Sequence, residues 1–209
     1  ELAIHDLIKE YLTDHQRIIF NGNGYAPEWV AEAERRGLPN IKSMVEAVDT
    51  LTTEKSVKLF EKFGIFTRAE LESREEVLYE IYAKSINIEA LTMIDMASKQ
   101  IIPALIKYSK SLADTVIAVK EAGADASVTA GLLKEVSEKL SAMKTALVKL
   151  EEAEEKANAI TNAKEQAFYY KDVVKEAMEE LRTPADEAEM LVDKKVWPLP
   201  TYGDMIFEV

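Results

Sequence analysis

The chain has 209 residues, 47% of them hydrophobic and 31% charged, enough for one large domain with a real core and too apolar for wholesale disorder. Its 38 acidic against 26 basic residues give a net charge of −12, which argues against a general nucleic-acid or anionic-membrane binder, since phosphate recognition needs a basic face. The absence of cysteine excludes disulfide frameworks, thiolate metal sites and cysteine catalysis, and no apolar run approaches the roughly 18 residues of a membrane span.

Taken in chain order, the sequence is almost continuously helical in period. Ile4, Leu7, Ile8, Tyr11 and Leu12 recur at three- and four-residue steps and mark one apolar helix face. That helix ends before Phe20-Asn21-Gly22-Asn23-Gly24-Tyr25-Ala26-Pro27-Glu28-Trp29, where two of the seven glycines fall close together. Pro27 opens the next helix, because a first-turn proline loses no hydrogen bond, and Gly37 closes it. Residues 38–51 are ambiguous, with Ser43 a candidate cap for a short helix. Thr52 or Thr53 then caps a helix carrying Val57, Leu59, Phe60 and Phe63 and ending at Gly64.

Thr67-Arg68-Ala69-Glu70 has the form of a capping box, and helical pattern follows to about Ala122, interrupted by a kink expected at Pro103. Gly123 ends that helix and Asp125 or Ser127 starts another. Its apolar residues Leu132, Val136, Leu140, Met143, Leu147 and Leu150 fall at steps of four, four, three, four and three, a coiled-coil-like seam. Ala153, Ala157 and Ile160 continue it with smaller side chains. Residues 162–182 form a further amphipathic helix, and Thr183-Pro184 predicts a cap and first-turn proline for a short helix to about Val192. The stretch 196–209 has two prolines in three residues and is rich in Trp, Tyr, Ile and Phe, so it is expected to dock on a protein surface, with a short strand conceivable only here. The fold expected is all-α: an elongated bundle of long antiparallel helices with an irregular apolar C-terminal tail.

Chemistry is harder to find. His5 and His15 are ten residues apart, whereas a helical zinc pair needs three or four, so neither is taken as a ligand. The many paired glutamates sit among lysines and read as solvated helix faces. Asn87, Glu89, Thr92 and Asp95 lie amid apolar neighbours and read as a buried polar ladder that sets helix register, with a small-molecule site as the alternative. The glycine-asparagine stretch could present amides to a phosphate at the start of the Pro27 helix. It lacks the lysine and Ser/Thr of a P-loop, so a helix-linking turn with a glycine at positive φ is favoured. No catalytic, cofactor-binding or metal residue is assigned.

Three stretches resemble a known family. His5 to Tyr25 resembles the end of the catalytic domain of type III glutamine synthetases, Lys84 to Ala97 resembles a signature of their extra helical region, and Trp197 to Val209 resembles their terminus. The resemblance implies a parent enzyme that joins ammonia to glutamate at the expense of ATP, with Mg²⁺ or Mn²⁺, in a cytoplasmic homo-oligomer resembling a double ring. It divides the chain into 1–38, the end of the catalytic domain; 39–195, a helical C-terminal domain; and 196–209, a docking tail. The family's metal carboxylates, nucleotide contacts and glutamate-binding arginines belong upstream of Glu1, and the opening Glu1-Leu2-Ala3 looks like a cut from something longer. The fragment is therefore expected to be inactive alone, its partners being its own catalytic domain and neighbouring subunits, with no nucleic acid or membrane. The alternatives are a stand-alone coiled-coil module pairing through Leu132 to Leu150, or a small-molecule regulatory domain.

Overall fold

The computed structural model describes residues 2–200 and 202–207, the side chains of 202 and 203 excepted. Every regular element among them is helical, and no strand occurs. The first helix, α1 (Leu2–Asp14), has the expected apolar face, but none of its residues is buried. A single 3₁₀ turn leads into the glycine-asparagine stretch, and α2 (Pro27–Arg35) starts at its proline. Gly37 follows at φ 76°, a left-handed conformation that glycine adopts without steric penalty.

Capping chemistry sets the next three boundaries. In α3 (Met44–Val48) the Ser43 hydroxyl accepts from the Val45 amide at 3.2 Å, resolving the ambiguous stretch. Thr53 rather than Thr52 caps α4 (Glu54–Lys62). At the head of α5 (Arg68–Met96) both halves of the capping box form: the Glu70 amide donates to the Thr67 hydroxyl, and the Thr67 amide donates to the Glu70 carboxylate.

The interruption expected at Pro103 is a π-helical segment, Ala97–Ile101, between α5 and α6 (Ile102–Glu121). The wider turn lies directly before the proline, where the missing N–H and the ring would otherwise break an α-helical ladder. After the turn at Gly123, α7 (Ser127–Asn158) runs back along α6. Asp125 rather than Ser127 holds its start, accepting from the Ser127 amide at 2.9 Å and the Ser127 hydroxyl at 2.8 Å.

The final long segment comprises α8 (Ala163–Tyr169), a second π-helical turn over Tyr170–Val174, and α9 (Lys175–Glu189). Two ion pairs show its direction against α7: Lys139 meets Glu187 at 2.7 Å and Lys149 meets Glu180 at 2.8 Å, so residue number falls on one helix as it rises on the other. The helices are antiparallel. Contrary to the sequence expectation, Thr183-Pro184 starts no new helix, and Pro184 lies inside α9. The Thr183 hydroxyl is turned back to the Glu179 carbonyl at 3.0 Å, and the buried proline faces Ser141, Ala142 and Thr145 of α7.

The main core collects Leu105 and Leu112 from α6, Val136, Met143, Leu147 and Leu150 from α7, and Val174 and Leu181 from the last segment. The coiled-coil-like seam is thus the inside of this bundle, not an exposed pairing surface. A smaller cluster joins Val45 and Val48 of α3 to Tyr79 of α5 and Ala167 of α8. The tail is less irregular than expected: after the prolines it forms α10 (Tyr202–Phe207). Glu1, Thr201, Glu208 and Val209 lie outside the described residues, so the expected docking is described only for the rest of 196–209.

Candidate functional site

The turn between α1 and α2 carries the strongest loop signal in the sequence. Neither Gly22 nor Gly24 adopts the left-handed region, against the expectation of a glycine at positive φ. Gly22 is needed for a different reason. A Cβ there would lie 2.6 Å from the Phe20 ring, which folds over the backbone to sit 4.6 Å from the Trp29 ring. Arg36 ties the turn to α2: its Nη1 donates to the carbonyls of Arg17 and Ile19 at 2.8 and 2.7 Å, and its Nε donates to Glu32 at 2.5 Å. With that guanidinium committed to protein acceptors, the turn has the chemistry of a helix connection.

Hydrogen bonds from Arg35 and then Arg36 hold the Glu32 carboxyl at about 2, below its ordinary 4.5. A depressed carboxyl contributes stability above its unfolded value and loses it as pH falls through the folded one. We therefore expect the Arg36 clamp to loosen between about pH 4.5 and pH 2. Trp29 fluorescence should change across that window in the wild type and much less in Glu32→Gln. An unchanged transition in the variant would rule the clamp out as its cause.

The second polar site is Asn87 on α5. Its amide nitrogen donates to Tyr170 Oη at 2.7 Å, Glu154 Oε1 at 2.8 Å and Asn158 Oδ1 at 3.1 Å, two N–H groups shared among three acceptors. Tyr170 donates in turn to Asn158 at 3.2 Å, and burial raises its phenol above the ordinary value, which keeps it neutral. This knot joins α5, the end of α7 and the second π-helical turn. The expected ladder is otherwise corrected: Glu89, Thr92 and Asp95 are exposed, because the apolar neighbours Ile88 and Leu91 are themselves on the outside. Asn87→Ala is expected to destabilise the bundle by about 0.5–1.5 kcal/mol by stripping the donor from a partly exposed network. Denaturant melts of Asn87→Ala and wild type that coincide would show that the network adds nothing.

Sequence reasoning missed a third group. Tyr79 of α5 donates to Asp49, which also pairs with Lys164 at the start of α8, and Lys171 meets Glu46 of α3 at 2.9 Å. Burial, then the Asp49 carboxylate, push the Tyr79 phenol well above its ordinary value. Burial works to raise the Asp49 carboxyl, but bonds from Lys164 and Tyr79 outweigh it and the net shift is downward. A neutral phenol donating to a fixed carboxylate is a clasp for α3, not a proton-transfer pair. The only advance signal was Asp49 beside a short capped helix, too weak to name a partner. His5 lies exposed beside Asp6 at 3.2 Å, and the His15 ring lies tilted to that of Tyr11, centroids 6.1 Å apart. Among the described residues no group of three or more His, Cys, Asp or Glu is arranged to hold a metal ion, and no helix is long and apolar enough to cross a membrane.

Residues 3–120 match the family model of the glutamine synthetase C-terminal domain. The chain belongs to that family. A glutamine synthetase of Butyrivibrio fibrisolvens is 42% identical over 208 residues, 99% of this chain and 30% of the relative. The type-3 glutamine synthetase of Dictyostelium discoideum is 33% identical across 99% of this chain and 29% of its own length. A glutamine synthetase of Bacteroides fragilis (strain YCH46) is 34% identical across 98% and 29%. This glutamine synthetase C-terminal domain chain therefore spans about 30% of the length of the curated relatives it matches. The likeness runs through the helical bundle and tail as well as the turn, in agreement with the type III resemblance carried by three separate stretches.

Proposed function

We propose that this chain is the C-terminal region of a type III glutamine synthetase and serves structure and assembly there. The ATP-dependent ligation of ammonia to glutamate, with its ATP and Mg²⁺ or Mn²⁺, belongs to a catalytic domain upstream, in a cytoplasmic homo-oligomer. In this reading residues 1–38 finish the catalytic domain, 39–195 form an outlying bundle, and 196–209 tie the bundle down. The partners are that catalytic domain and neighbouring subunits, with no nucleic acid or membrane.

The observation that carries the reading is α1. Ile4, Leu7, Ile8, Tyr11 and Leu12 share one helix face and each is about half exposed or more, although the rest of the chain has a normal core. Single exposed apolar residues are common, but a whole helix face of them marks a surface meant to be covered. An upstream body that packs on α1 would cover it. Hydrogen bonds from Arg36 at the end of α2 hold the turn that follows α1, so α1 and α2 would dock together.

The test is an assay of the purified chain with ATP, glutamate, ammonia and Mg²⁺. No glutamine above background is expected, and appreciable synthesis would overturn the structural assignment. In the full-length protein Leu7→Lys with Tyr11→Lys should expose the catalytic body and reduce its solubility. Unchanged behaviour there would remove α1 as the docking face.

A further inference from the structure

The turn between α1 and α2 brings together the groups for a reaction of its own. Of the asparagines in the chain, Asn21 and Asn23 alone precede glycine, and both lie exposed in that turn. An asparagine carboxamide is open to attack at Cγ by the backbone nitrogen of the following residue, and a side chain on that residue hinders the approach. Glycine, without a Cβ, leaves it free. Elsewhere the approach is blocked: Asn87 lies within α5 before Ile88, and Asn158 ends α7 with its side chain bonded to Tyr170 and Glu154. The fold also treats the two Asn-Gly pairs differently. Asn23 is held at both of its carbonyls, Oδ1 accepting from the Tyr25 amide at 3.0 Å and the backbone oxygen from the Ala26 amide at 3.1 Å. The Asn21 side chain is exposed to solvent, and the Gly22 amide donates to no acceptor among the described residues.

We propose that Asn21 is a site of spontaneous deamidation, and that the fold selects it over Asn23. The Gly22 nitrogen gives its proton to solvent base and bonds to Asn21 Cγ. The Cγ–Nδ2 bond breaks, and ammonia leaves with a proton from water. Water then opens the resulting succinimide at either carbonyl. Attack at Cγ gives an aspartyl residue, and attack at the backbone carbonyl gives an isoaspartyl residue. One water enters and one ammonia departs, with nothing oxidised or reduced. Both products carry a carboxylate in place of a neutral amide, and the isoaspartyl form adds a carbon to the backbone. That carbon falls between Phe20 and Gly22, where even a Cβ on Gly22 would lie 2.6 Å from the Phe20 ring. Displacing the Gly22 backbone therefore unseats Phe20 from Trp29, whose ring centroids lie 4.6 Å apart. The turn thus ages in one direction, in the connection between the two helices proposed above to dock together. The effect on docking rests on that reading, whereas the reaction does not.

The experiment is incubation of the 209-residue chain at mildly alkaline pH, folded and in urea, followed by trypsin and mass spectrometry. Cleavage after Arg17 and Arg35 yields a peptide that holds both asparagines, and its fragmentation assigns the mass gain of amide-to-acid exchange to Asn21 or Asn23. In the folded chain Asn21 converts several-fold faster than Asn23, because Asn23 must first give up a hydrogen bond. In urea that bond is gone and the two rates converge. Trp29 fluorescence shifts as isoaspartate accumulates. Asn21→Gln, whose longer side chain has to close a larger and slower-forming ring, abolishes both the mass gain at that position and the shift. Absence of conversion at Asn21 in the folded chain, or equal folded-state rates at Asn21 and Asn23, overturns the proposal. Conversion with no change at Trp29 overturns the displacement of Phe20. Each of these results leaves the glutamine-synthesis assay and the assembly reading untouched.

Discussion

Leu147→Ala lowers the stability of the chain by about 2–5 kcal/mol, the range for deleting a large aliphatic side chain from a packed interior. Leu147 is 1% exposed on α7 and belongs to the main core together with Leu105 of α6 and Leu181 of α9. Removing three carbons there, one methine and two methyls, leaves a cavity that neighbouring helices, tied by ion pairs at Lys139–Glu187 and Lys149–Glu180, cannot fully close over. Urea unfolding followed by circular dichroism measures the loss as a lower midpoint with an unchanged slope. The same position separates an internal seam from an intermolecular one. Leu147→Lys should unfold the bundle at any protein concentration, because an unpaired ammonium cannot stay in that interior. A folded monomer from Leu147→Lys would mean that the seam had been an interface between chains after all.

Trp197→Ala is expected to detach the tail and cost about 3–5 kcal/mol, the range for truncating a large aromatic residue. Trp197 is 8% exposed and joins the main core, with Val196 and Leu199 packed partly against it. It closes a small cavity of about 130 Å³ formed with Met93, Met96 and Ile101 of the α5–α6 junction and Ala185 of α9. The Val196 and Trp197 amides both donate to the Asp193 carbonyl, so the tail leaves α9 through a tight turn that places the indole over the core. Trypsin should then cut the Ala variant at Lys194 or Lys195 much faster than the wild type. Trp197→Phe is the informative contrast. The indole Nε1 is buried without a hydrogen-bond partner, so removing it sacrifices no bond and should spare most of the anchoring. If the Phe variant releases the tail as readily as the Ala variant, packing of the ring is not what holds it.

Beyond the anchor, Met205, Ile206 and Phe207 of α10 are 60%, 65% and 80% exposed, while Lys194 pairs with Asp204 at 2.6 Å. The tail thus docks by its first half on its own bundle and presents its second half outward. Apolarity alone predicted burial for the whole stretch, because composition does not say which residues a given surface can reach. The difference lies in which residues reach the core: Trp197 does, whereas Met205, Ile206 and Phe207 stay exposed.

How much was legible depended on the range of the interaction. Capping at Ser43, Thr53, Thr67 and Asp125, the first-turn Pro27 and the glycine stops at 37, 64 and 123 involve residues within a few positions of each other. Their physics is written in the local order of side chains. The periodic apolar faces of α7 and α9 were readable for the same reason. Where the reading failed, a distant partner decided. Glu89, Thr92 and Asp95 looked buried only because Ile88 and Leu91 were assumed to be inside, and a helix with apolar residues on several faces does not reveal which face its neighbours will take. Pro184 resembled a helix start, but it lies buried inside α9, and local order does not show which positions a neighbouring helix will cover.

By itself, then, the sequence determined the helical class, most helix ends, the apolar seam and the family resemblance, since each rests on residue identity and short-range order. Tertiary structure alone decided that the seam is internal, that Asn87 knots three segments together through Tyr170, Glu154 and Asn158, and that Asp49 clasps Tyr79 and Lys164. It also decided which apolar faces stay uncovered, on α1 and along Val77 to Leu91 of α5. Burial is a property of the whole packing arrangement: a helix offers several apolar stripes, and only the competition among neighbouring helices settles which one is left for a partner.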